Sequence, residues 1–222
     1  MTRTGEAARP TVEDHTEDFL EWTKSHSRQL SFAALALLTV GILAYVIAGS
    51  RTTKANNANA ALNQAEVALE RGDMQGAEAA LTQLVRRFKG TSAGTQGVLR
   101  LAQVQFEQGK FQQGVSQLEE AATGNQSGPF AVSLRQMAGA GYEAMGRPAD
   151  AAARYLEAAE KSELTGEREL LKAQAARAFR QDGNKAEAIK IWQSIAEKPD
   201  SPLLNEARLR LGELTAEAAG AR

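Results

Sequence analysis

There is no cysteine among the 222 residues. Its absence removes disulfides, thiolate nucleophiles, cysteine-ligated zinc and an acylated lipoprotein cysteine together. Nor does one sign of charge prevail: 26 Lys and Arg stand against 27 Asp and Glu, so no global positive field draws in nucleic acid. Histidine occurs twice, as His15 and His26, both ahead of a long apolar run. Downstream of that run no nucleophile and base can be paired, so no enzyme, cofactor or metal site is expected. Asp14 and His15 beside Glu17 and Asp18 read as a solvated acidic tail and not as a ligand set. Aromatics make up only 5% of the chain, while Ala, Leu and Glu are the commonest residues. That balance favours helix, because unbranched side chains lose little rotamer freedom there.

What is present begins with LSFAALALLTVGILAYVIAG, residues 30–49, which carries no charge. As a helix rising about 1.5 Å per residue it spans about 30 Å, the thickness of a bilayer core. A buried core helix would show a polar face, and here only Ser31 and Thr39 are polar. A signal peptide has a short basic leader and a shorter apolar run, whereas residues 1–29 form a long leader bearing Glu13, Asp14, Glu17, Asp18 and Glu21. An uncleaved single span is therefore expected. Charge does not orient it: Lys24 and Arg28 on one side match Arg51 and Lys54 on the other. Ala34, Gly41, Ala44 and Ala48 form a small-residue stripe on which another membrane helix could dock. Phe19 and Trp22 share one side of a short stretch expected to lie at the interface. Residues 50–57 form a polar neck.

Beyond the neck the sequence repeats. Gly72, Gly109, Gly146 and Gly183 are 37 residues apart, and a further step reaches Gly220. Five residues after each of the four stands Ala77, Gly114, Ala151 or Ala188, and four further on Leu81, Leu118, Tyr155 or Trp192. Three beyond these come Leu84, Ala121, Ala158 and Ile195, and seven before each glycine Ala65, Ala102, Gly139 and Ala176. This is the pattern of a helical hairpin: glycine ends the first helix in a left-handed turn, and small residues let the two backbones approach. A single hairpin cannot bury its apolar face, so stacking is required. Polar connections punctuate four hairpins at about 58–90, 95–124, 130–162 and 167–198. Ser201 as a cap, Pro202 in a first turn, and Leu204, Ala207, Leu211, Leu214 and Ala218 predict a closing helix over 201–219. The expected fold is all-α: one N-terminal transmembrane helix, then an α-solenoid over residues 58–222.

These offsets resemble the tetratricopeptide repeat, with a period of 37 where about 34 is usual. The layout as a whole, an acidic tail, one span and a divergent repeat domain, is similar to that of the bacterial ancillary subunit of the Sec translocon. That resemblance implies a cytoplasmic N terminus, repeats in the periplasm, and partners among secretion-channel subunits, a periplasmic chaperone and exported clients. An envelope scaffold for cell-division or envelope-assembly proteins is the alternative. Self-association is left open.

In such arrays the first helices line a concave face that receives peptides or partner helices. The register places Leu62, Glu66, Leu69, Leu99, Gln103, Phe106, Met137, Glu143, Arg177 and Arg180 there. The apolar members are equally suited to the core. The lysine and asparagine carboxylate clamp of chaperone-binding arrays is absent. Residues 139–144, GAGYEA, fit a loose dinucleotide-binding pattern, but their place inside a first helix makes Gly139 a crossing residue. Arg86-Arg87-Phe88-Lys89 ends a second helix, where cations offset the partial negative charge of the terminus, a reading favoured over phosphate binding.

Overall fold

A computed structural model describes Trp22 and residues 26–220. Among them are nine helices and no strand: α1 (Ser27–Glu70), α2 (Met74–Arg87), α3 (Ser92–Glu107), α4 (Phe111–Gly124), α5 (Ala131–Ala144), α6 (Pro148–Lys161), α7 (Thr165–Gln181), α8 (Lys185–Ala196) and α9 (Leu204–Gly220). The chain divides into two compact units, Met1–Thr53 and Lys54–Arg222. Helix α1 is long and apolar enough to cross a membrane. Phe32, Leu35, Leu38, Val40, Ile42, Leu43 and Val46 are all exposed there, so it is not a core helix. Thr39 satisfies its hydroxyl on the helix itself, donating to the Leu35 and Ala36 carbonyls at 2.9 and 2.8 Å. The polar neck is helical and belongs to α1. Trp22 stacks on His26 with ring centroids 5.0 Å apart. The expected interfacial Phe19 and the Asp14 and His15 tail lie outside the described residues, as does the side chain of Ala34.

The second unit is built from the glycine register. Gly72, Gly109, Gly146 and Gly183 have φ of +75, +76, +68 and +84°, the left-handed region that a side chain penalises. The residue after each glycine donates its N–H to a carbonyl five positions back: Asp73 to Ala68, Lys110 to Gln105, Arg147 to Tyr142, Asn184 to Phe179. This is a Schellman closure, and it satisfies carbonyls the helix end would leave orphaned. The same residue starts the returning helix. Asp73 and Asn184 also cap it by accepting from Gly76 and Glu187 N–H at 2.8 and 3.3 Å.

Each core is shared between hairpins. Ala58, Leu62 and Ala65 of α1 meet Leu81 and Leu84 of α2 and Leu101 of α3. Val98, Leu118 and Leu134 join α3, α4 and α5, and Tyr155, Ala158 and Leu171 join α6 and α7. Ala173, Trp192 and Leu214 join α7, α8 and α9. Stacking is thus what buries the apolar faces. At the crossing in the third hairpin, Tyr155 lies so close that a methyl on Gly139 would come within 2.7 Å of its ring. Gly139 and Gly141 are therefore packing residues inside α5.

Connections between hairpins are tied by individual polar residues. Thr91 accepts from Gly94 N–H at 3.0 Å. Arg135, buried, donates to the carbonyls of Ala131, Ala122 and Asn125 and to Gln126 Oε1. Glu169, also buried, holds Lys198 at 3.2 Å and accepts from the Ser201 hydroxyl. That last contact alters the expected end of the chain. Pro202 and Leu203 form a turn and α9 begins at Leu204, while the Ser201 hydroxyl donates to Glu169 and accepts from Leu203 N–H.

Candidate interaction surface

The first helices of successive hairpins are neighbours: α3 contacts α5 directly, and side chains bridge other pairs. Arg100 of α3 reaches Glu66 of α1 at 3.5 Å. Gln136 of α5 donates to Gln174 of α7 at 3.3 Å. Arg177 and Arg180 of α7 meet Glu206 and Glu213 of α9 at 2.7 and 3.3 Å. Arg210 is hydrogen-bonded to Glu213 and beside Glu206, which raises its pKa still further. The surface is therefore a ladder of paired polar groups, and its C-terminal arginines are neutralised by acids on α9.

Of the ten expected residues, the apolar ones are taken up by packing. Leu62 is buried and Leu69 packs on the same core. Leu99, Phe106 and Met137, each half-buried, pack on the core shared by α3, α4 and α5. Phe106 fits because Gly114 and Gly141 lack side chains: a methyl on either would come within 2.6 Å of the Phe106 ring. Glu143 accepts a hydrogen bond from the Tyr155 hydroxyl at 2.7 Å. Burial, and then that bond, push the Tyr155 phenol well above its usual range. Glu66, Gln103, Arg177 and Arg180 remain at the surface to different degrees. Two depressions collect Gln103, Arg177 and Arg180. One of about 260 Å³ is lined by Leu69, Met74, Arg100, Gln103, Val104 and Glu107. The other, about 350 Å³, is lined by Arg177, Arg180, Gln181, Trp192, Arg210 and Leu214.

A third surface escaped the sequence register because it lies on a second helix. It is an open depression of about 1180 Å³ over α2, bounded by Met74, Glu78, Thr82, Arg86 and Lys110 among others. Lys110 clasps both Glu78 oxygens at 3.0 and 2.8 Å and holds that carboxyl below the usual carboxylate range. A cation follows only two of the four turn glycines, Lys110 after Gly109 and Arg147 after Gly146, so no repeating sequence signal marked this edge.

Comparison with known proteins agrees with the hairpin geometry. The model of a tetratricopeptide repeat-like domain matches residues 43–176, more than half of the chain, and that of a tetratricopeptide repeat matches residues 174–201. The chain belongs to the tetratricopeptide repeat-like family. Its repeats make it a protein-interaction module, and the fold is generally a non-catalytic scaffold. Among solved structures it is similar to a tetratricopeptide repeat protein from Parabacteroides merdae, at 16% identity and a TM-score of 0.57, covering 72% of this chain and 60% of that one. The chain thus spans only part of that protein's length. It is also similar to a putative kinesin light chain from Podosopora anserina with nearly identical repeats, at 18% identity and a TM-score of 0.55, covering 74% and 87%. At these identities the likeness is one of fold. No curated protein matches the chain.

Proposed function

We propose that the protein is a non-enzymatic, single-pass anchor for a protein-binding repeat array in the bacterial inner membrane. Its N terminus is cytoplasmic and its repeats periplasmic, beside the secretion channel or a periplasmic chaperone, where it holds newly exported proteins. The observation carrying this reading is the wholly exposed apolar stretch of α1, covalently continuous with an array whose first helices present paired polar groups around a packed apolar centre. Paired groups of that kind can be exchanged for a partner's side chains at little net cost. Within the span, Gly41, Ala44 and Ala48 offer a face for a second membrane helix: a methyl on Gly41 would meet nothing within 4 Å.

Topology is tested first. Protease added to intact spheroplasts should degrade residues 54–222; complete protection would place the repeats on the other side. A photocrosslinker at Gln103, Arg177 or Gly41 should then capture channel subunits, the chaperone or exported chains. Capture of cell-division proteins without channel subunits would replace the export role with an envelope scaffold.

A further inference from the structure

We propose that the turn closing the first hairpin, Arg86, Arg87 and Lys89 with Lys54 beside it, rests on the membrane surface and binds the phosphates of anionic phospholipids. This rests on the anchored reading of α1. Helix α2 runs antiparallel to the first helix of the repeat domain, so its C-terminal end returns to the point where the chain enters that domain. Lys54 Nζ donates to the Lys89 carbonyl at 3.1 Å. Lys54 is five residues beyond Gly49, the end of the uncharged run. Five residues reach at most about 18 Å, and about 8 Å as helix, whichever direction the domain takes. That keeps the turn within about a Debye length or two of the lipid surface.

Charge along this edge of the array is uneven. The second connection, residues 124–130, has no charged residue, the third carries Glu160, Glu163 and Glu167 against Lys161 and Arg168, and the fourth carries Glu197 and Asp200 around Lys198. A basic excess occurs only at the connection nearest the anchor. Ending a second helix does not demand it: α4 and α8 have no basic residue in their last turn, and α6 has Lys161 alone. Arg86 and Arg87 are exposed, and among the described residues neither forms an ion pair. Arg87 is braced over the Phe88 ring at 5.4 Å, and Phe88 itself is buried. Lys89 pairs with Glu120 at 2.7 Å, but the two side chains are 76% and 70% exposed, a pair weak enough to yield to phosphate. Guanidinium groups present the fork geometry that phosphate oxygens accept.

The test uses the full chain in nanodiscs of zwitterionic lipid alone or with about 30% phosphatidylglycerol, an anionic content that sets up a surface potential. Hydrogen exchange of residues 84–92 should slow about fivefold or more in the anionic discs. Residues 142–150, at the opposite edge, should not change. The protection should vanish in R86Q/R87Q/K89Q and in high salt, while the variant keeps its helical content and thermal midpoint. Equal exchange of residues 84–92 in both compositions, with the chain inserted, would overturn the proposal and leave the anchor intact. Failure of the chain to insert, seen by alkaline extraction, would overturn the anchored reading and the proposal with it. Protection by a soluble acidic peptide but not by anionic lipid would also overturn it, assigning the turn to a protein partner.

Discussion

Gly183 holds φ +84° between α7 and α8, and a methyl there would meet no neighbour within 4 Å. The cost of Gly183→Ala is thus conformational and not steric, about 1–2 kcal/mol in urea unfolding of residues 54–222. An unchanged midpoint would show that the turn relaxes at no cost. Glu78 has a different dependence. Its hydrogen bonds to Lys110 put its folded pKa below the ordinary 4.5. The stabilisation is therefore present above that value and lost as pH falls through the folded pKa. Lys110→Gln should be less stable than the parent at pH 7, and the gap should close on acidification. A gap that stayed constant to pH 3 would assign the loss to something other than the carboxylate.

At the scale of the element, the helices are ordinary and the connections individual. Glu169 is 1% exposed and binds both Lys198 and Ser201, so it fixes where α8 stops and α9 starts. Glu169→Ala leaves both partners without an acceptor and should cost about 1–3 kcal/mol. Amide exchange should quicken over residues 197–204 before it does in α5 or α6. Uniform quickening would mean that Glu169 supports the whole array instead. The glycine turns were legible in sequence because a backbone requirement recurs at a fixed spacing. The connection devices were not, since Thr91, Arg135 and Glu169 occupy different register positions and meet their partners only after the hairpins stack.

For the whole molecule, shared cores make the array cooperative between neighbours and dependent on its ends. Trp192 is 1% exposed beneath α9, with Ala207 and Leu214 over it. Deleting residues 204–222 should shift tryptophan emission to the red and lower the thermal midpoint by about 5 °C or more. Emission unchanged from the parent would show that α7 and α8 shield Trp192 without the closing helix. The expected groove was legible only in part. Its polar residues Glu66, Gln103, Glu143, Arg177 and Arg180 lie on first helices. That Phe106 faces the core and not a partner depends on Gly114 and Gly141 opening space for its ring.

The helical hairpins, their period and the uncharged run follow from residue order alone, because left-handed turns, close helix crossings and apolar length each demand particular residues at particular spacings. Tertiary structure decided what register cannot express. It paired Arg177 and Arg180 with acids on α9, brought Lys54 to Lys89, and gave Phe106 to the core. Those outcomes depend on the distances between residues far apart in the chain, and such distances exist only once the hairpins are stacked.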